Sequence, residues 1–508
     1  MFLYFLLIII SYILTIHFHN KIKNLPPSPF PALPIIGHVY LIFKKPLHRT
    51  LSEISAKYGP ILLLKLGSRR VLLLSSPSAV EECLTKNDIV FANRPVILLG
   101  KHFGYNSTGL VWAPYGNRWR NLRRVLSHEI LSASRLPILS SISKEEVRSL
   151  IRRLLRNQNQ TVDMKSAFST LTLNVMMRMI GGKRYFGDDG RAGVVEETNK
   201  FRQMMDETIR VGGGINALDV FPVLKWVGFG WIEKKFMVVQ EKRDRFMQDL
   251  VEEHKRKMEI DHKREFKYSV GKTERKKTII EVMLSLQGSD TEFYKDETIK
   301  SLILVLLTAG NDTSVGTMEW ALSLLLNNPD ILRKAQTEID SKIGFDRLID
   351  EYDLVELPYL HCIINETLRL YPAGPFLIPH ESSQECMIGG YHIPRGTMLL
   401  VNMWAIQNDH KIWEDPTKFK PERFEGIEGA RDGFKFIPFS SGRRSCPGEA
   451  LAMRMIGLTL GTLIQCFEWE RVNEKLVDMT ESSGLVLSKV HPLQAKCRPR
   501  PTMLKILS

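Results

Sequence analysis

Cysteine is scarce in this chain. There are six in 508 residues, at positions 83, 362, 386, 446, 466 and 497, and none pairs with another at short spacing. That excludes a disulfide scaffold and fits a reducing compartment. No second Cys or His stands at short metal-ligand spacing beside Cys446, which argues against a zinc site there with its usual close ligand pairs. From Pro34 onward there is no internal repeat and no low-complexity tract, so a solenoid or linker array is excluded as well. No nucleic-acid module is present, although the net charge is +14 and the pI about 9.4. The Lys and Arg residues are spread along the whole chain, which leaves an anionic membrane surface or an acidic protein as the partner for this charge. The residues are 44% hydrophobic, ample for a large core.

Asp, Glu, Lys and Arg are also absent from the first eighteen residues, Met1 to Phe18. As a helix this run spans ~27 Å, close to the ~30 Å hydrocarbon thickness of a bilayer. A cleaved signal peptide wants a basic start and a small-residue cleavage site, and neither is present. We therefore expect a membrane anchor over 1–20, with Lys21 and Lys23 keeping the following chain in the cytosol. Residues 21–34 are basic and proline-rich and read as a stiff hinge. Residues 35–508 are expected to form one body. With a cytosolic body, the sequons at Asn106 and Asn159 are expected to stay unglycosylated.

Within the body, Ile61–Leu66 and Val71–Leu74 flank Gly67 and read as a hairpin. The later segments are mainly helical in period, so the fold class is mainly α with small β-sheets. The charged stretch 252–277 reads as a solvated helix end and a loop. Residues 211–231 are apolar and glycine-rich, suited either to a buried irregular segment or to a surface flap.

What stands out is Phe439-Ser-Ser-Gly442-Arg-Arg444-Ser-Cys446-Pro-Gly448. A single cysteine in a Gly/Pro-rich turn, beside an arginine, suits a metal that brings its other ligands with it. Haem does so, since the porphyrin supplies four nitrogens and the protein one axial atom. A buried free cysteine is the plainer reading of a lone thiol. The pattern Phe-x-x-Gly-x-Arg-x-Cys-x-Gly resembles the haem-binding loop of the cytochrome P-450 superfamily, with every defining position filled. The resemblance implies haem b (iron protoporphyrin IX), Cys446 as axial iron ligand, and Phe439, Gly442, Arg444 and Gly448 as shaping residues. It also implies the cytochrome P-450 fold with an N-terminal transmembrane anchor, as in microsomal members, and hence the endoplasmic reticulum membrane. Under it, the 211–231 segment falls near the loop between the sixth and seventh main helices and reads as a flap that dips into the membrane.

Three more patterns agree in order along the chain. Trp119 and Arg123 share one face of a basic helix and suit an anion, which the resemblance makes a haem propionate; Arg444 and His380 join them by motif position. In a long helical pattern from about Asp296 to Asn327, Ala309-Gly310-Asn311-Asp312-Thr313-Ser314 places a small-residue gap beside an acid and a hydroxyl. Thr313 can bond back to a carbonyl and open the helix, and Asp312 with Thr313 forms a plausible proton relay. A bent core helix with a solvent-facing Asp is the plainer alternative. The segment resembles the superfamily's oxygen-activation motif, which implies catalytic roles for Gly310, Asp312 and Thr313. Glu366 and Arg369 are neighbours at i, i+3. With Arg423 in Pro421-Glu-Arg423-Phe424 they resemble the superfamily's stabilising triad.

Asn174–Tyr185, Phe91–Pro95 and Ala495–Pro501 look like the plant family that includes isoflavone ring hydroxylases and sesamin synthase. The implied reaction is an NADPH- and O2-dependent hydroxylation of an apolar plant metabolite of phenolic, lignan, flavonoid or terpenoid type. Electrons would come from an acidic flavoprotein reductase docking on Arg120, Arg124, Lys435 and Arg443. Substrate contacts are expected from 96–112, from Val305, Leu306 and Ala309, from 375–378 and from 484–485. A haem-thiolate oxidase that closes a ring or methylenedioxy bridge is the nearest rival, and a non-catalytic membrane haem protein a more distant one.

Overall fold

A computed structural model describes residues 21–507 except 45, 133–134, 188–191, 215, 269–276 and 427–432, together with isolated positions 4, 11 and 15. The expected anchor over 1–20 lies outside the described residues apart from those three positions. Among the described residues no helix is long and apolar enough to cross a membrane.

A hairpin opens the fold: β1 (Ile61–Leu66) runs antiparallel to β2 (Arg69–Leu74), with Ile61 opposite Leu74. Gly67, at φ +57°, makes the turn; a Cβ there would lie 2.6 Å from the Val220 carbonyl oxygen. The helices that position the site follow. They are α1 (Asn117–Val125), α2 (Leu136–Arg156), α3 (Met164–Gly181), α4 (Ala192–Val211), α5 (Trp231–Tyr268), α6 (Asp296–Asn327), α7 (Pro358–Leu370) and α8 (Glu449–Cys466). Helix α5 carries the charged stretch as far as Tyr268, and most of the expected loop beyond it lies outside the described residues.

Helix α6 is the axis of the body and packs most extensively on α3. It is apolar nearly all round, the mark of a helix buried in a large core. Asp296 and Glu297 complement the positive end of its dipole, and Pro329 prevents it from continuing past Asn328. Helix α7 begins with Pro358, and the Glu338 carboxylate accepts from the N–H groups of Tyr359 and Leu360 at 2.7 and 3.0 Å. These satisfy donors that a helix start leaves unpaired.

The strands are few and short. In one sheet the order is β1, β2, β7 (Met398–Val401), β4 (His380–Glu381), with β2 parallel to β7 and Val71 opposite Met398. A second sheet joins β3 (Val162–Asp163), β9 (Gln494–Pro499) and β8 (Phe467–Arg471), and β5 (Cys386–Ile388) pairs with β6 (Tyr391–Ile393).

Two segments dock on the first hairpin. The proline-rich stretch gives the Pro27 carbonyl to Leu63 N–H, and His38 N–H donates to the Lys65 carbonyl. From the other side, Ser68 N–H donates to the Val220 carbonyl. The 211–231 segment therefore divides: Leu218, Asp219 and Val220 are buried, whereas Val223, Val227, Phe229 and Trp231 are exposed and Trp226 is 87% exposed. Exposed Phe30 and Ile35 on the proline-rich stretch belong to this same hairpin-bound end.

Candidate active site

The cysteine loop is shaped by its own backbone. Cys446 N–H donates to the Phe439 carbonyl at 2.8 Å, and Gly442 sits at φ +70°. A Cβ on Gly442 would meet Asp88 Oδ1 at 2.7 Å and the Leu84 carbonyl oxygen at 2.8 Å, so only glycine fits. Cys446 lies just before α8, whose N-cap is Gly448. Protein surrounds the residue closely, yet it retains open surface, which places it in a recess. Burial pushes its thiol up, and Glu449 adds to this. The N–H groups of Gly448 and Glu449, with the positive charge of Arg123, pull it back. A metal ion that binds such a thiol displaces its proton.

Around this recess the structure gathers arginines, and three of them have no carboxylate partner among the described residues. Arg444 is buried and donates to the carbonyls of Ala92 (2.8 Å), Leu110 (3.3 Å) and Ala113. Its guanidinium lies 4.5 Å from the Trp119 ring centre. Arg123 donates to the Ser445 carbonyl at 2.7 Å. Sequence reasoning did not single out Arg94, which is buried and donates to Val111, Ile378 and Pro379 carbonyls. Its signal, the Phe-Ala-Asn-Arg-Pro string, was legible only as a likeness. Desolvation lowers the pKa of all three arginines, to about 10 for Arg444, and none of the three lowered groups has a carboxylate partner among the described residues. Buried guanidinium groups that face one another are costly unless an anion joins them. The two carboxylates of a haem meet that need, so the donor set fits the group.

His380 enters this cluster in a qualified way. Its Nδ1–H donates to the Phe91 carbonyl at 2.6 Å, and burial, with Arg94 and Arg444 nearby, holds its pKa well below the usual range. The neutral ring thus offers only an acceptor at Nε2. An approaching carboxylate must first raise that pKa before His380 can donate to it.

On α6, burial is interrupted. Residues 298–304 and 314–326 are buried, but Val305, Leu306, Thr308, Gly310, Asp312 and Thr313 are partly open and Ala309 is exposed. An open alanine in a core helix marks the wall of a cleft. Thr313 Oγ1 donates to the Ala309 carbonyl at 2.6 Å, as expected of a hydroxyl that loosens a helix. Asp312 accepts from Asn311 Nδ2 at 2.8 Å, and burial holds its carboxyl above the usual range. The close approach at Gly310 is made by Met176 of α3: a Cβ would lie 2.8 Å from its Cε. Gly310 therefore sets the spacing of α3 and α6. Of the expected substrate-contact residues, Ile378 is exposed and Leu485 partly open, whereas Leu98, Gly100 and Trp112 are packed into the core. A separate cavity of about 490 Å³, lined by Arg152, Arg156, Arg184 and Arg202, contains none of these residues.

The Glu366, Arg369 and Arg423 side chains meet one another. Arg369 and Glu366 are fully buried and joined at 2.7 and 2.9 Å, and Arg423 reaches Glu366 at 3.3 Å. Of the expected docking arginines, Arg120 and Arg124 are exposed, but Arg443 is ion-paired with Asp88 and hydrogen-bonded to Tyr115.

A family model for cytochrome P450 matches residues 26–496. The chain belongs to the cytochrome P450 family. It is 50% identical over 489 residues to cytochrome P450 81Q32 of Catharanthus roseus, covering 96% of this chain and 94% of the relative. It is 46% identical to the (+)-piperitol/(+)-sesamin synthase of Sesamum radiatum, covering 96% and 93%. It is 44% identical to an isoflavone 2'-hydroxylase of Glycyrrhiza echinata, covering 96% and 94%. A zebra fish cytochrome P450 solved with progesterone is 25% identical at a TM-score of 0.75, covering 90% of this chain and all of that one. The protein is a haem-thiolate monooxygenase of the plant type, with the mainly helical cytochrome P450 fold.

Proposed function

We propose that this P450 hydroxylates an apolar plant specialised metabolite of phenolic, lignan, flavonoid or terpenoid type, using O2 and electrons from NADPH passed through an acidic flavoprotein reductase. The observation that carries the reading is the uncompensated cluster of Arg94, Arg123 and Arg444 around the Cys446 recess, on a fold whose central helix opens at Ala309. Haem, when bound, supplies dioxygen activation and insertion of one oxygen atom. Cys446 holds the iron, and the N–H groups of Gly448 and Glu449 temper its charge. Arg94, Arg123, Arg444 and Trp119 hold the propionate side. Val305, Leu306, Ala309 and Ile378 present apolar surface to the substrate. Asp312, whose carboxyl burial holds above the usual range, passes a proton toward Thr313, whose hydroxyl holds the local opening of α6.

Two expected results test these roles. Asp312→Asn is expected to lower product formation about a hundredfold, the smaller end of what a lost proton donor costs, with the haem spectrum unchanged; normal turnover would remove the assignment. Arg444→Leu is expected to weaken haem retention about tenfold to a hundredfold, the worth of one charge-assisted hydrogen bond, measured by transfer of haem to an apo-globin acceptor. Product identity is tested by incubating the full chain with reductase, NADPH and a panel of plant phenolics, lignans and terpenoids.

A second reading, closure of a methylenedioxy bridge, rests on the likeness to the sesamin synthase. A lignan converted to a bridged product without a hydroxylated one would select it. We place the protein in the endoplasmic reticulum membrane, anchored by 1–20. The exposed Trp226, Val227 and Phe229, with Lys225, give that end an apolar and basic surface suited to a bilayer.

A further inference from the structure

Asp312 does not stand alone. Asn311, nearly fully buried, donates from Nδ2 to Asp312 Oδ1 at 2.8 Å, and its own Oδ1 accepts from the hydroxyl of Thr172 on α3. Thr172 is completely buried. Its single hydroxyl hydrogen has three acceptors within reach: Asn311 Oδ1, the Phe168 carbonyl at 3.0 Å and the Ser169 carbonyl at 3.2 Å. A hydroxyl donates one hydrogen and accepts through its lone pairs, and an amide exchanges donor for acceptor by turning over with almost no change of shape. The charged groups facing Asp312 among the described residues are Lys165 on α3 and Asp206 on α4.

We propose that Thr172 and Asn311 form a reversible hydrogen-bond train that holds Asp312 in place in both of its protonation states. With Asp312 ionised, the direction is the one observed: Thr172 donates to Asn311 Oδ1, and Asn311 Nδ2 donates to the carboxylate. With Asp312 protonated, its O–H donates to Asn311 Oδ1. The amide has turned over, Nδ2 donates to Thr172 Oγ1, and the Thr172 hydrogen moves to the Phe168 carbonyl. Each direction leaves every member partnered, so the acid takes up and releases its proton without abandoning a buried polar group. Asn311 and Thr172 are positioning residues acting through Asp312. Their kinetic effect rests on the proton-delivery role proposed above.

Infrared difference spectra of the resting, haem-loaded full chain across a pH titration test this. The carboxyl band is identified by its loss in Asp312→Asn, and the side-chain amide band by its loss in Asn311→Leu. The native protein is expected to show both bands changing with one midpoint. In Thr172→Val the carboxyl should still titrate while the amide band no longer follows, and Thr172→Ser should restore the coupling. The same Val variant is expected to lose about fivefold in kcat, the worth of one ordinary hydrogen bond, with KM unchanged, and Ser to recover it. A native carboxyl that titrates with a silent amide overturns the proposal without need of a variant, as do Val and Ser variants that behave alike. If Asp312→Asn turns over normally, the delivery role fails, but the infrared titration still decides the train.

Discussion

Cys446→Ala is expected to yield a folded protein whose reduced, carbon monoxide-treated form lacks the strongly red-shifted Soret band of thiolate ligation, with product formation at background. The loop geometry explains why no neighbour can take over. The backbone from Phe439 to Gly448 aims one side chain into the recess, and no other cysteine is in that loop. Cys83, Cys362, Cys466 and Cys497 are buried elsewhere, with thiols pushed up by desolvation. Removing Cys446 leaves the Gly448 and Glu449 N–H groups and Arg123 without the charge they support. Persistence of the red-shifted band in this variant would overturn the assignment of Cys446.

The second large effect is on stability. Arg369→Ala is expected to cost about 3–5 kcal/mol, because it leaves the buried Glu366 carboxylate without its main partner. That is a large share of the 5–15 kcal/mol typical of folded proteins. Arg369 also ties α7 to the Gln407 and Pro416 carbonyls, at 2.6 and 2.9 Å, so those acceptors lose their donor too. Arg423→Ala should cost less, about 1.5–3 kcal/mol: Arg423 is partly exposed, and Lys420 N–H still donates to Glu366 at 3.0 Å. Denaturant unfolding of the haem-loaded proteins measures both. Equal losses, or a loss below about 1 kcal/mol for Arg369→Ala, would mean that the triad is not what holds this region together.

The parts of the fold that rest on short-range rules were legible from the chain. The Ile61–Leu74 hairpin needed two short apolar runs around a glycine. The α6 span needed an apolar run closed by a proline, and the cysteine loop needed ten adjacent residues. The Glu366–Arg369 pair was visible at helical spacing beside an apolar face, but the carbonyls of Gln407 and Pro416 that complete its burial were not, because they come from other segments.

Other features could not be read locally. Arg94 was legible only as one letter of a family-like string until the fold set it against Arg444 and His380. Gly310 reads in the sequence as part of a small-residue gap, and only the fold shows that Met176, brought from α3, closes on it. Arg443 looked like a free docking charge, but Asp88, 355 residues away, accepts its hydrogen bonds. Asn311 filled a free position of its motif, and only the packing of α3 on α6 gave it Thr172 as a partner, 139 residues away.

The sequence by itself determined the motifs and the family they define: one thiol in a glycine-shaped turn, and an acid and a hydroxyl in a small-residue gap. Tertiary structure alone decided which charges are balanced and which are left over. Electrostatic and hydrogen-bond energies depend on distance and desolvation, and both are set by chain segments hundreds of residues apart.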